Sequence, residues 1–215
     1  MPKVLITRRW PAEVEAALQQ RYELTIRNEP LSQEEWHAAL REYDAICPCV
    51  IDKLSADMFA APAPRTRLLA NYGVGYNHID LVAAAAKGIS VSNTPDVLTH
   101  ATADLAMTVM LMLARRAGEG ERQLRSGNWS GWYPTHLMGT QVTGATLGIV
   151  GMGRIGLAMA KKAHDGFGMK ILYHNRKPVN ESDISPLPAE YCAELPVLLQ
   201  RSDFVALHCP GGKQN

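Results

Sequence analysis

What the 215-residue chain lacks narrows its function first. It has no charge excess: 22 Lys and Arg stand against 21 Asp and Glu, a formal net charge of +1. That removes the bulk electrostatic case for a nucleic-acid or anionic-membrane partner, although a local basic pair could still hold one phosphate. It has no long hydrophobic run either, since the most apolar stretch, Ala101 to Ala114, is interrupted by Asp104 and is too short to span a bilayer. The opening MPKVLITRRW enters a strand-like run directly, without the apolar stretch and small-residue cleavage site of a signal peptide. Cysteine is scarce, with 4 residues and no repeated C-x-x-C pair to suggest structural zinc. Cys47-Pro48-Cys49 reads as strand-end packing, while Cys192 and Cys209 stand alone. No internal repeat or low-complexity tract is present. These absences point to a cytoplasmic, soluble protein that binds no metal, nucleic acid or membrane. What remains is ordinary globular composition, 47% hydrophobic and 20% charged, in a length that suits one large domain or two small ones.

Short apolar runs alternate with helical patterns through the N-terminal part. Val4 to Thr7 predicts a strand, followed by a helix that opens at Pro11 and sets Val14, Ala17 and Leu18 on one face. Tyr22 to Ile26, Ala45 to Val50, Leu68 to Asn71 and Ile89 to Ser92 are further strands, with helical stretches around Met58 and from Leu81 to Ala86. Ser32 followed by Glu35 matches a capping box opening a helix through Trp36 and Leu40. Strands alternating with helices predict an α/β fold with parallel sheets covered on both faces. Turn chemistry at Asn93-Thr94-Pro95-Asp96 marks a domain boundary near Pro95, giving domains at 1–95 and 96–215. Beyond it one long helix is expected from Leu98 to Gly118, its last turn carrying Arg115 and Arg116 to suit the negative end of the dipole. The stretch from Gly120 to Gly144 reads as a loop whose Trp129, Trp132 and Tyr133 suit a packing surface or subunit contact.

The strongest signal is Gly151-Met152-Gly153-Arg154-Ile155-Gly156, which follows the strand pattern Thr146 to Val150 and opens a helix through Leu157, Ala160 and Ala163, with a second strand at Lys170 to Tyr173. A G-x-G-x-x-G in that context is a dinucleotide-binding turn: the first glycine for the tight turn, the second for approach of the diphosphate, the third for helix–strand packing. The ribose-selecting position falls about twenty residues on, at Asn175. A neutral amide there, followed by Arg176 and Lys177, removes the acid that favours NAD and offers donors to a 2′-phosphate, so NADP(H) is expected over NAD(H). The competing reading makes Arg176 and Lys177 solvated surface charges.

Taken together with Asn71-Tyr72-Gly73-Val74-Gly75-Tyr76-Asn77-His78-Ile79-Asp80, Asn93-Thr94-Pro95 leading into Ala103-Asp104-Leu105, and Leu207-His208-Cys209-Pro210-Gly211-Gly212, the chain resembles the D-isomer-specific 2-hydroxyacid dehydrogenases along its whole length, most closely their glyoxylate/hydroxypyruvate reductase (D-glycerate dehydrogenase) branch. The resemblance implies two Rossmann-like domains, a flavodoxin-like substrate domain and a doubly wound NAD(P) domain, and a homodimer that reduces a small 2-oxo acid to the 2-hydroxy acid. It places Val74 and Gly75 at the substrate carboxylate, with Val74 also facing the cofactor, Thr102 beside the nicotinamide, Arg154 and Ile155 at the diphosphate, and Cys209 and Pro210 beside the adenosine half. The residues themselves leave open that Gly73 and Gly75 merely make a turn. Trp132 resembles a tryptophan that reaches across the dimer; a local core aromatic is the alternative.

The family's catalytic Arg, Glu and His are expected at positions beyond Asn215, so no catalytic residue is assigned. His37, His100, His136 and His164 show no evident partner, and none of the seven histidines is expected to be the proton donor. The stretch from Leu147 to Asn215 suits strand–helix–strand–helix–strand, with the third strand at Phe204 to His208. That is the first half of a doubly wound sheet, a truncated domain whose glycine-bearing strand would be left as an open edge. A nucleotide-sensing, corepressor-like binding protein and an inactive fragment are the alternatives to an enzyme.

Overall fold

The structure, a computed structural model, describes residues 1–60 and 62–211. Gly212, the last residue of the C-terminal motif, lies outside them. The chain forms two compact units, divided between Asp96 and Val97.

The first unit carries five parallel strands, β1 (Lys3–Ile6), β2 (Glu23–Ile26), β3 (Ala45–Cys47), β4 (Leu68–Ala70) and β5 (Ser90–Ser92), in the order β2-β1-β3-β4-β5. This is the flavodoxin-like order. Alternation sorts the strand side chains. Leu5, Ile46 and Leu69 face a core closed by Trp36 and Leu40 of α2 (Gln33–Glu42), Phe59 of a 3-10 turn (Ala56–Phe59) and Ala84 of α3 (Leu81–Ala86). Val4, Ile6 and Cys47 face the opposite side, where burial pushes the Cys47 thiol up to about 11. The capping box at α2 forms as expected: the Ser32 hydroxyl accepts from the Glu35 amide at 3.2 Å and the Glu35 carboxylate accepts from the Ser32 amide at 2.9 Å.

The helix after β1, α1 (Ala12–Gln19), departs from its expected face. Val14 is 39% exposed and Ala17 is exposed, whereas Glu15 is buried. Its carboxylate accepts from the Trp10 amide at 2.8 Å and pairs with Arg9 at 2.7 Å, so a hydrogen-bonding demand at the helix entrance outweighs the apolar pattern.

The second unit opens with α4 (Thr99–Ala114) and α5 (Ala117–Arg125) in place of one continuous helix. The break has a long-range cause. The Thr140 amide takes the Ala114 carbonyl at 2.8 Å, and Gly139 lies so close that a Cβ there would sit 2.4 Å from that oxygen. Arg116 then turns into the left-handed region, φ 53°, and pairs with Glu119 at 2.6 Å, which starts α5 inside the stretch expected to be loop.

Its sheet comprises β6 (Thr146–Val150), β7 (Lys170–His174), β8 (Ala189–Tyr191) and β9 (Phe204–Leu207), all parallel, in the order β8-β7-β6-β9, with α6 (Arg154–Phe167), α7 (Glu181–Ile184) and α8 (Leu195–Arg201) between them. This corrects the expected topology. The third strand is β8, and Phe204–Leu207 is the fourth, paired with β6 on the side expected to be open. The glycine-bearing strand is therefore internal, and strand order reverses between β6 and β9, the position at which open α/β sheets bind ligands. Gly148 permits this: a Cβ there would lie 2.6 Å from Leu198 and 2.2 Å from Ser202, so α8 seats on β6 only because no side chain intervenes.

Candidate functional site

Register brings the predicted residues of the second unit together. Val150 pairs with His174 on one side and Leu207 on the other, so the next residues, Gly151, Asn175 and His208, share one end of the sheet, with Cys209 and Pro210 following. Gly151 adopts φ +101°, and a Cβ there would fall 2.4 Å from the Cys209 amide nitrogen. At Gly156 a Cβ would lie 2.3 Å from the Gly151 carbonyl oxygen and 3.1 Å from Ile149. Both positions exclude a side chain on packing grounds. Gly153 differs, because nothing stands within 4 Å of its Cβ position. It is the residue before α6, and no side chain caps that helix. As at any helix start, the first amides of α6, those of Ile155 and Gly156 among them, have no carbonyl one turn earlier in the helix to bond, which gives the open space beside Gly153 a positive, main-chain lining suited to an anion.

Asn175 is tied into this turn: its Oδ1 accepts from the Met152 amide at 2.7 Å, and its own carbonyl accepts from the Tyr191 hydroxyl at 3.1 Å. With the oxygen so engaged, the Nδ2 donor is the end of the amide left available. Arg176 and Lys177 follow, exposed. Thr102 stands in the first turn of α4, and the next residue, Ala103, is buried in the core cluster that also contains Met152.

The first unit has a second main-chain feature, at the ends of β4 and β5. Ala70 pairs with Ser92, so Asn71 and Asn93 emerge side by side. Asn71, 2% exposed, donates from Nδ2 to the carbonyls of Gly73 at 3.2 Å and Gly75 at 3.0 Å. Asn93 donates to the Val74 carbonyl at 2.8 Å, and the Thr94 amide to that of Gly73 at 3.1 Å. Every carbonyl from Gly73 to Gly75 is thus occupied, while the amides of Val74 and Gly75 have no acceptor among the described residues. His78 donates from Nε2 to Asn71 Oδ1 at 3.0 Å; burial holds its pKa below the ordinary 6.5, with nearby Asp52 opposing. Asp52, 4% exposed, accepts from the Thr7 hydroxyl at 2.6 Å and the Cys49 amide at 2.9 Å, and pairs with Arg8 at 3.1 Å.

Sequence reasoning missed the parts played by Asn71, Asn93 and Asp52. The available signal was an asparagine directly after each of two strands flanking the Gly73–Gly75 loop. It also treated His37, His136 and His164 as partnerless; their ring nitrogens meet the Asp57 carbonyl at 2.9 Å, Gln123 at 2.6 Å and the Met169 carbonyl at 3.1 Å. Trp132 is 79% exposed, which overturns the reading of a local core aromatic.

Similarity to known proteins agrees with this geometry. The family described as D-isomer specific 2-hydroxyacid dehydrogenase, NAD binding domain, matches residues 107–215. A glyoxylate reductase from Thermococcus litoralis is 42% identical over 221 residues, covering 99% of this chain and 65% of that protein. Among solved structures, a candidate D-isomer specific 2-hydroxyacid dehydrogenase from Polaromonas sp. JS6 66 is 36% identical with a TM-score of 0.89, covering 100% of this chain and 67% of that one. The D-mandelate dehydrogenase of Rhodotorula graminis is 29% identical with a TM-score of 0.81, covering 99% and 67%. The chain thus spans less than two thirds of the length of the curated relatives it matches.

Proposed function

The chain belongs to the D-isomer specific 2-hydroxyacid dehydrogenase family, on its glyoxylate reductase branch, and from that premise we propose that it serves the NADPH-dependent reduction of a small 2-oxo acid, glyoxylate or hydroxypyruvate, to the 2-hydroxy acid. The cofactor supplies the hydride when bound. In this reading Gly151, Gly153, Arg154, Ile155 and Gly156 hold its diphosphate on main-chain amides. Within the second unit Thr102 serves the nicotinamide and Cys209 and Pro210 the adenosine; within the first, the Val74 and Gly75 amides hold the substrate carboxylate, Val74 being also a cofactor contact by family resemblance.

The observation that carries the cofactor preference is the orientation of Asn175. Its oxygen is committed to the Met152 amide, so Nδ2, the Arg176 guanidinium and the Lys177 ammonium present only donors at the end of β7. A 2′-phosphate needs donors, whereas a ribose 2′-hydroxyl in an NAD site is usually bound by a carboxylate acceptor. A dimer of two copies belongs to the same reading, with Leu105 (63%), Leu113 (76%) and Trp132 (79%) the exposed apolar side chains of the second unit that a second copy would cover. The four free cysteines suit a reducing, cytoplasmic setting.

Steady-state reduction of glyoxylate and hydroxypyruvate by the protein carrying this chain, with NADPH and NADH in turn, tests the proposal. A higher kcat/KM with NADPH is expected, falling selectively in Arg176→Ala. Equal or better use of NADH refutes the preference, and no turnover of any 2-oxo acid refutes the activity.

A further inference from the structure

We propose that Asn71 and Asn93 are the positioning residues of the Val74–Gly75 loop, turning its two amides outward, and that His78 locks Asn71 in the orientation that does so. The inference rests on the reading of this loop as the carboxylate-binding element and says what makes it competent.

A trans peptide holds its N–H and C=O on opposite sides, so fixing one direction fixes the other. The peptide joining Gly73 to Val74 has its carbonyl held twice, by Asn71 Nδ2 at 3.2 Å and by the Thr94 amide at 3.1 Å. The next peptide, Val74 to Gly75, has its carbonyl held by Asn93 Nδ2 at 2.8 Å. With both carbonyls held in this way, the Val74 and Gly75 N–H groups of the same peptides are directed away from those partners, and neither has an acceptor among the described residues. Two neighbouring main-chain donors aimed at one point form an anion-binding nest. Asn71 closes the curl by taking the Gly75 carbonyl as well, at 3.0 Å. Being 2% exposed, it acts through the loop and not on a ligand.

An asparagine amide has two ends of nearly equal size, and the wrong end would be ruinous here. Flipped, Oδ1 would face the Gly73 and Gly75 carbonyl oxygens, placing three acceptors together with no proton among them. The inward direction of Nδ2 is selected from behind, where His78 Nε2–H donates to Oδ1 at 3.0 Å. The lock needs the proton on Nε2, and a glutamine at position 78 supplies an N–H of similar reach.

The test uses the full chain, labelled with ¹⁵N and titrated with oxamate, a carboxylate analogue of a 2-oxo acid that cannot be reduced. The Val74 and Gly75 amide resonances are expected to shift saturably, and the His78 ring to show a proton on Nε2. Asn71→Asp, which replaces the donor with an acceptor, is expected to weaken oxamate by about tenfold or more, the scale of losing positioned hydrogen bonds to a charged group. Asn93→Asp should do the same, and serves if Asn71→Asp fails to fold. His78→Ala should weaken oxamate and His78→Gln restore it. The amide resonances of Leu5, Ile46 and Leu69, in the core of the first unit, should stay in place throughout, which separates a lost nest from a lost fold. Oxamate binding unchanged in Asn71→Asp and Asn93→Asp overturns the positioning role, and a His78 proton on Nδ1 overturns the lock. If Val74 and Gly75 ignore oxamate in the unsubstituted chain, the reading of the loop falls and the inference with it.

Discussion

Adding one methyl group at Gly153 and, separately, at Gly156 should give opposite results, although the two positions lie three residues apart in one motif. At Gly153 the new Cβ meets nothing within 4 Å, and φ is −91°, which alanine adopts freely. Alanine gives up about 0.5–1 kcal/mol of helix-capping preference and gains roughly 0.4–1 kcal/mol from a less flexible unfolded chain, so stability should hold within about 0.5 kcal/mol. The methyl nevertheless occupies the space beside the first-turn amides of α6. A diphosphate kept from those donors should bind at least about tenfold more weakly, equivalent to ~1.4 kcal/mol. At Gly156 the Cβ would stand 2.3 Å from the Gly151 carbonyl oxygen, and backbone cannot swing aside as a flexible side chain does. Overpacking of that kind costs about 1–3 kcal/mol, against a helix-propensity gain of up to about 1 kcal/mol. Gly156→Ala should therefore lose about 1–2 kcal/mol, several degrees in Tm for a unit of this size. Thermal unfolding by circular dichroism and calorimetric titration with NADPH read the two effects separately. Gly153→Ala binding NADPH at the unsubstituted affinity would refute the assignment of the open space, and full stability in Gly156→Ala would refute the packing argument.

Asp52→Asn should destabilise the first unit by about 2–4 kcal/mol, because the substitution leaves the half-buried Arg8 guanidinium without its carboxylate; a urea midpoint that does not move refutes that weight. Acid should weaken the fold. Burial holds His78 and His208 below the ordinary 6.5, so each takes up a proton on unfolding, and the stability present above that value is lost as pH falls from 6.5 toward the folded pKa. Urea unfolding from about pH 7 down to pH 5 should show a falling midpoint, with part of the slope removed in His78→Gln, and a flat profile would contradict the burial of both rings.

The parts of the molecule legible from sequence are those in which a backbone requirement selects a residue type locally. The glycines of the turn are of this kind: φ +101° at Gly151 and the near contact at Gly156 can be met by no other residue. The Ser32 and Glu35 pair is likewise a device complete within four residues. What sequence reasoning missed depends on partners far along the chain. The long helix ends at Ala114 because Gly139 and Thr140 cross it, and nothing in its own apolar pattern announces that. The strand at Phe204–Leu207 was recognised as a strand, but its side of the sheet depends on α8 seating against Gly148, a contact between residues about fifty positions apart. Asn71 and Asn93 looked like turn residues because their partners are backbone carbonyls, which carry no sequence signature.

The placement of charge explains why composition said so little about the ligands. A chain proposed to handle a dinucleotide and a carboxylate would be expected to advertise cations, yet its net charge is +1. In the proposed reading both anion-directed features use neutral main-chain donors. In one unit they come from the open first turn of α6, and in the other from a loop whose carbonyls are tied down by asparagine amides. Amide dipoles need little desolvation compared with a buried ammonium or guanidinium, and they are fixed by the fold before a ligand arrives. Exposed cations stand at Arg154, in the turn itself, and at Arg176 and Lys177, beyond the amide that tethers Asn175 to it. In a site organised this way the dipoles provide grip common to any dinucleotide. Under the proposed preference, Arg176 and Lys177 are the groups left to discriminate between cofactors differing by a single phosphate.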